Sequence, residues 1–193
     1  MNHTFPVLRW VAAAWLLVWI PVYWRFWGWR NFLQMCDICI GITCAGLWWG
    51  NALLLSASAV GSLGFDLLWC LDVAGRLISG RHVVHGTEYM WNRNYPLWVR
   101  LLSLYHVALP VVLLYSLRWV GYDPRGWLLQ VVITAPVLVL ARLLAPGQNV
   151  NFVERDPFAN RAVGPAPVHV MAAWLVATFL VYWPIHRLLA AVL

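Results

Sequence analysis

Two aspartates and a histidine stand where apolar membrane helices are expected. The stretch "GFDLLWCLDVAGRLISG" at 64–80 carries Asp66 and Asp72, and His106 lies inside another apolar run. An ionised carboxylate in hydrocarbon is costly unless it is paired, protonated or in contact with water. A carboxyl group beside an imidazole can also exchange protons near neutral pH, which is general acid–base chemistry. We therefore predict that Asp66 and His106, together with Asp37, are the catalytic residues of this chain.

The composition identifies the class of protein that must position these residues. Of 193 residues, 63% are hydrophobic and only 10% are charged, whereas soluble domains carry about 25% charged residues. Apolar segments of spanning length predict an all-α fold, a polytopic transmembrane bundle of six helices forming a single integral membrane domain over 1–193. The first helix lacks the signature of a cleavable signal peptide and is expected to be retained. The predicted helices lie near 6–24, 31–49, 52–77, 97–120, 127–145 and 167–189.

Two long connections, 79–96 and 146–166, fall on one side of the predicted bundle. Loops longer than about 12–15 residues usually carry function or are disordered, and the aromatic residues in these two favour ordered loops. Nine of the 13 arginines lie on this side, so the positive-inside rule places the long loops in the cytoplasm and both termini outside. The arginines lie at helix ends and form no single basic face, which excludes nucleic acid as a partner.

Polar residues gather at the same side. Six of the seven acidic residues, all except Asp123, lie in or over one leaflet. We predict a pocket in that leaflet, roofed by the two long loops, that receives an amphipathic small molecule or lipid. The residues expected to bind this ligand are Asp72, Arg76, Glu88, Tyr89, Arg100, Asn149, Asn151 and Glu154.

The same acids have a structural interpretation as ion pairs that hold helices together. Asp72 and Arg76 are four residues apart and can pair along one helix. Asp37 has candidate partners in Arg30 and Arg100, and Glu154 in Arg81 or the neighbours of Arg155. Asp66 has no arginine within a turn, and His106 is its best partner at a similar depth.

Pro110 affects the backbone hydrogen bonding of His106. A proline within a helix removes the hydrogen bond to the carbonyl four residues earlier, and here that carbonyl belongs to His106. In a membrane such a carbonyl needs another donor. A protonated Asp66, a water molecule or a ligand could supply it.

Cysteine and histidine motifs suggest two further functions with less support. "CDIC" at 36–39 resembles the redox pair of a membrane thiol oxidoreductase, but free cysteine as a small buried residue is commoner. The spacing of His82 and His85, with Glu88, could contribute ligands to a metal, yet no second cluster completes a recognisable geometry. His106 and His169 are expected at different depths. We therefore assign no metal site and no cofactor.

Seven motifs are distributed along the chain: "CDI" at 36–38, "LLWCLD" at 67–72, "GRHVVHGTEYMW" at 80–91, "PLWVRLLSLYHVALP" at 96–110, "GYD" at 121–123, "NVNFV" at 149–153 and "YWPIH" at 182–186. In these the chain resembles an uncharacterised family of small bacterial six-helix integral membrane proteins. The resemblance implies the six-helix architecture, a bacterial inner membrane and a small residue at the position of Cys39. It implies no activity.

Three functions remain open from the sequence. The leading one is a membrane protein that binds or acts on an amphipathic molecule or lipid by acid–base chemistry. The alternative is an accessory subunit of a larger membrane complex, whose partners are other membrane subunits. The third is a thiol oxidoreductase using Cys36 and Cys39.

Overall fold

The chain folds into an all-helical bundle. The computed structural model describes residues 4–193, and within this range it contains six principal helices and no strand. Four of them, α3 to α6, are long and apolar enough to cross a membrane, which is compatible with a multi-pass membrane protein. Membrane crossing by α1 and α2 stays a prediction. The helices are α1 Leu8–Trp27, α2 Met35–Trp49, α3 Ala52–Ser79, α4 Leu97–Val120, α5 Arg125–Leu144 and α6 Ala166–Val192.

Most helix bounds agree with the predicted segments, and the clearest difference lies between α1 and α2. Pro21 is accommodated within α1, which continues to Trp27. Gly28 then adopts a φ of 78°, and Trp29–Leu33 forms a separate 3₁₀ turn before α2. Helix α2 therefore begins four residues later than predicted and has only 15 residues.

Two of the long helices change their winding. Helix α4 opens with an α-helical turn and a 3₁₀ turn, Leu102–Leu104, and becomes regular from Tyr105. Helix α6 contains a π-helical segment, Ala177–Tyr182, directly before Pro184. Because Pro184 cannot donate to the carbonyl of residue 180, a change of hydrogen-bond register is expected near this position.

Helix α3 is the centre of the bundle and packs against α2, α4 and α5. Its segment 56–62 is buried on every side and consists of serine, alanine, glycine and one valine, a composition that lets membrane helices approach closely. A Cβ at Gly126 of α5 would lie 2.6 Å from the Cβ of Ser56 and 2.8 Å from the backbone N of Ala57. This close approach holds α3 and α5 together.

The two long loops lie on the same side of the bundle and contact one another. The backbone N–H of His85 donates to the carbonyl of Pro157 at 3.1 Å, and the backbone of Gly86 lies against the ring of Phe152. Short connections over 50–51 and 121–124 close the opposite side. The prediction of two ordered loops on one side is confirmed.

Candidate functional site

Asp66 and His106 meet in the interior of the bundle. Helix α3 carries Asp66, which is fully buried, and Nδ1 of His106 on α4 lies 2.6 Å from its Oδ1. The ring of Trp69, nearly one turn after Asp66, stacks on the imidazole with 4.8 Å between ring centroids. This stacking fixes the orientation of the imidazole relative to the carboxylate. The predicted contact is present, and its catalytic role stays a prediction.

The second oxygen of Asp66 has no hydrogen-bond partner within the described residues. The hydroxyl of Ser62, one turn earlier on α3, lies near this carboxyl group and is also buried without a hydrogen bond of standard geometry. A buried polar atom without a partner forfeits its solvation without compensation. Oδ2 of Asp66 can carry a proton or accept a hydrogen bond from a bound molecule, and either role suits acid–base chemistry.

The carbonyl of His106 has the donor that Pro110 makes necessary. The thiol of Cys70 lies 3.9 Å from this oxygen and donates to it from α3. A thiol is a weak donor, so this contact only partly replaces the lost helical bond. It is the thiol, and not Asp66, that supplies the donor.

Asp37 is held by neutral donors and not by either of its candidate arginine partners. The hydroxyl of Tyr105 donates to Oδ1 at 2.7 Å, and the amide of Asn31 donates to Oδ2 at 2.7 Å. Asp37 lies in the first turn of α2, where the helix dipole favours negative charge. Within the described residues, neither Arg30 nor Arg100 forms an ion pair with it.

The three residues predicted to be catalytic are connected through Tyr105. The ring of Tyr105 lies 4.1 Å from the ring of His106, centroid to centroid, while its hydroxyl reaches Asp37. Asp66, His106, Tyr105 and Asp37 form one buried group, which we call the central polar cluster. Asp66, His106 and Asp37 are the candidates predicted from the sequence, and Tyr105 is the residue that joins them.

Asp72 does not pair with Arg76, contrary to the interpretation of these residues as a helical ion pair. Its carboxylate instead accepts four hydrogen bonds from the loop that follows α3. The guanidinium of Arg76 lies over the ring of Trp91 at 5.9 Å. The four donors are the ring of His82 at 2.8 Å, the backbone N–H groups of Val83 and Val84, and the hydroxyl of Thr87.

The other predicted ligand-binding residues of the first loop bind parts of the chain. Glu88 accepts from the ring of His85 at 2.9 Å, and Tyr89 accepts from the indole N–H of Trp69 at 2.9 Å. Arg100 donates to the carbonyl of Met90. Partial burial raises the pKa of Glu88, but hydrogen bonds from its own backbone N–H, from His85 and from Gly86 outweigh it, so the net effect lowers that pKa.

The second loop contains a polar network of its own. The side chain of Asn149 accepts from the backbone N–H groups of Glu154 and Arg155. Asn151 accepts from the N–H of Met35 at 2.8 Å and donates to the carbonyl of Leu33. These contacts fasten the loop to the start of α2 and do not reach the central polar cluster.

Glu154 binds Arg142 and neither of the candidates named from the sequence, Arg81 and the neighbours of Arg155. Nη1 of Arg142, in the last turn of α5, donates to Oε1 of Glu154 at 2.9 Å. The N–H of Gly147 donates to the same oxygen. The predicted single ligand site thus separates into the central polar cluster and two loop networks.

The cysteines form no disulfide bond, and the histidines bind neighbouring parts of the chain. All four cysteines are free, and Cys39 is fully buried. His82 and His85 bind different acids, Asp72 and Glu88. His169 accepts from the N–H of Val163 and donates to the carbonyl of Phe152, which closes the second loop. No group of three or more potential metal ligands occurs within residues 4–193.

A further buried polar group on α5 escaped the sequence analysis. Gln130 is fully buried; its amide N–H₂ donates to Met35 and Thr134, while its carbonyl oxygen has no partner among the described residues. Thr134 in turn contacts the hydroxyl of Tyr182 at 3.1 Å. A lone amide in an apolar helix was the signal that could have indicated this group.

Comparison with protein-family models, with curated proteins and with solved structures finds no match.

Proposed function

We propose that this chain is a membrane protein that binds or acts on an amphipathic small molecule or lipid through acid–base chemistry at Asp66 and His106. Asp37 and Tyr105 complete the site and hold it between α2 and α4. The two loops cover one end of the bundle and organise it through Asp72, Glu88, Asn149 and Asn151. No cofactor is assigned.

The observation that carries this proposal is the incomplete pairing of Asp66. A carboxylate kept only for stability would be expected to have both oxygens bonded, as Asp72 has. Asp66 is equally buried, yet within the described residues no hydrogen bond of standard geometry reaches its Oδ2, and Ser62 is the one polar side chain of its own helix beside it. An ionisable residue inside a membrane whose hydrogen-bonding atoms are not all paired within the fold indicates a functional site by default.

The proposed location is a bacterial inner membrane with the long loops in the cytoplasm. Nine arginines lie at or over the end of the bundle that carries the loops, and Arg118, Arg125 and Arg187 lie at the other end. The positive-inside rule then favours the cytoplasm for the arginine-rich end. Accessibility of a cysteine introduced at Asn160, tested with a membrane-impermeant thiol reagent in intact cells and in inverted vesicles, measures this orientation.

The first experiment is native mass spectrometry, with an absorbance spectrum, on protein extracted gently from its own membrane. A lipid-like mass that is bound to the chain alone, or to a homo-oligomer, and is lost from Asp66→Asn supports the proposal and identifies the substrate class. Release of the chain in fixed ratio with other polypeptides or pigments supports instead a subunit of a larger complex.

Variants then test the chemistry of the site. We expect Asp66→Asn and His106→Gln to abolish retention of that mass, or its turnover. The matched control is Asp123→Asn, since Asp123 pairs with Arg125 at the opposite end of the bundle. Infrared difference spectra across a pH titration should show a carboxyl signal that Asp66→Asn removes. Unchanged binding and unchanged spectra in both site variants would refute the proposal.

A further inference from the structure

An apolar groove runs between α5 and α6 at the end of the bundle that carries the long loops. Its volume is about 710 Å³. The walls include Val139 and Leu143 of α5 and Met171 of α6, which are 48%, 68% and 55% exposed. Trp174 closes one wall, held by its indole N–H to the carbonyl of Val131 at 3.2 Å. The groove is thus open on the side that faces away from the bundle.

The groove has a charged residue only at the end nearest the long loops. Arg142 is the single charged residue among the ten described residues that line it. It lies in the last turn of α5, so its guanidinium is at the level where an apolar spanning helix meets the headgroup region. Ala135 lies seven residues earlier, about 10 Å deeper along the helix.

Glu154 orients the Arg142 side chain but uses only one of its hydrogen-bond donors. Only Nη1 donates to the carboxylate, at 2.9 Å, and the Arg142 side chain keeps 35% of its surface exposed. A guanidinium has five N–H donors in a fixed fork that matches phosphate oxygens. The donors not used by Glu154 remain for an anion at the mouth of the groove.

From this geometry we propose that the groove is a binding site for a glycerophospholipid of the surrounding bilayer. Its phosphate contacts Arg142, and one acyl chain lies along the wall formed by Val139, Val170 and Trp174. The occupant follows from the charge complementarity of guanidinium and phosphate above an apolar slot at membrane depth. The site lies on α5 and α6, apart from the central polar cluster, and does not depend on the proposed function.

The test titrates delipidated protein in detergent with palmitoyl-oleoyl phosphatidylglycerol and counts bound lipid by native mass spectrometry. We expect one tightly retained molecule on the unaltered chain. Arg142→Gln should weaken its binding about tenfold through loss of a charged hydrogen-bond donor. Val139→Trp should have a similar effect because the indole fills the groove while leaving the ion pair with Glu154 intact.

Matched controls separate this site from general lipid association. Arg118→Gln removes an exposed arginine at the other end of the bundle, and Val132→Trp adds an indole to an exposed position of α5 outside the groove. Both should retain the lipid, as should Asp66→Asn. Diacylglycerol with the same chains should not bind tightly, because it lacks the phosphate.

Three outcomes would overturn the proposal: equal retention by Arg142→Gln and Arg118→Gln, retention by Val139→Trp, or equally tight binding of diacylglycerol. If Arg142→Gln disturbs the loop through Glu154, Val139→Trp decides the question alone. Loss of ligand in Asp66→Asn with intact phospholipid retention would show that the two sites are independent.

Discussion

Asp72 and His82 are joined by a 2.8 Å hydrogen bond between Oδ2 and Nδ1, and this bond ties the end of α3 to the loop that follows it. The carboxylate also accepts from two consecutive backbone N–H groups of that loop and from Thr87. Asp72 therefore acts as the fixed point on which the first long loop folds. Although Arg76 is only four residues away in sequence, the two side chains do not form an ion pair.

We expect Asp72→Asn to lower the free energy of unfolding by about 2–4 kcal/mol, because a buried acceptor of several charged hydrogen bonds becomes a weaker, partly mismatched one. Denaturation of the purified protein in detergent measures this loss, and limited proteolysis should show faster cleavage within 80–96. Arg76→Gln is the control. It removes only a cation–π contact with Trp91, worth about 0.5–1 kcal/mol. Equal losses in the two variants would restore the ion-pair interpretation.

Asn151 should be essential for the second loop. Its side chain caps the N–H of Met35 and binds the carbonyl of Leu33, so Asn151→Ala should cost about 1–3 kcal/mol of stability. Proteolysis within 146–166 and the thermal unfolding midpoint report the effect. Asn160 has the same φ of 52° but is exposed. If Asn160→Ala lost as much stability as Asn151→Ala, the backbone conformation would be responsible, and not the hydrogen bonds of the Asn151 side chain to Met35 and Leu33.

Gly126 tests the contact between α3 and α5. A methyl group there would meet the side chain of Ser56 and the backbone of Ala57, so Gly126→Ala should destabilise the protein by about 1–3 kcal/mol. The matched control is Gly41 of α2, where a Cβ meets nothing within 4 Å. Gly41→Ala should be neutral or stabilising by up to about 1 kcal/mol. The thermal midpoints of both variants decide whether the two helices touch as described.

The cysteines test the oxidoreductase hypothesis. Cys39 is fully buried, so a small membrane-permeant alkylating reagent should modify it only after denaturation, and peptide mass spectrometry locates the label. Cys39→Ala should leave the fold intact, since the side chain fills space as a small apolar group. The exposed control is a cysteine placed at Asn160. A reversible disulfide between Cys36 and Cys39 in membranes would favour redox chemistry instead.

The architecture was accessible from the sequence because helix formation in a membrane is a local matter. Each spanning helix satisfies its own backbone hydrogen bonds, so the length of an apolar run predicts the element. The predicted bounds of α3 and α4 lie within two residues of the observed ones. The turn over 29–33 was missed because an apolar composition does not distinguish a 3₁₀ turn from the start of a helix.

The pairing of Asp66 with His106 could be predicted for a similar reason. Helix direction and position give the depth of each residue, and few polar side chains share the depth of Asp66. Where many partners are available the prediction failed. Asp72 was expected to pair with Arg76, and arginines were named as possible partners of Asp37 and Glu154. Of the three, only Glu154 forms an ion pair with an arginine, and that arginine is Arg142.

The sequence by itself therefore determined the helices, the side that carries the loops and the isolation of Asp66, because these depend on local periodicity, length and depth. The tertiary structure alone decided which donors the other carboxylates receive. Asn151 and Met35 are 116 residues apart, and Tyr105 reaches Asp37 across 68. Such contacts depend on the rotation of each helix and the path of each loop, which side-chain packing sets and one-dimensional spacing does not.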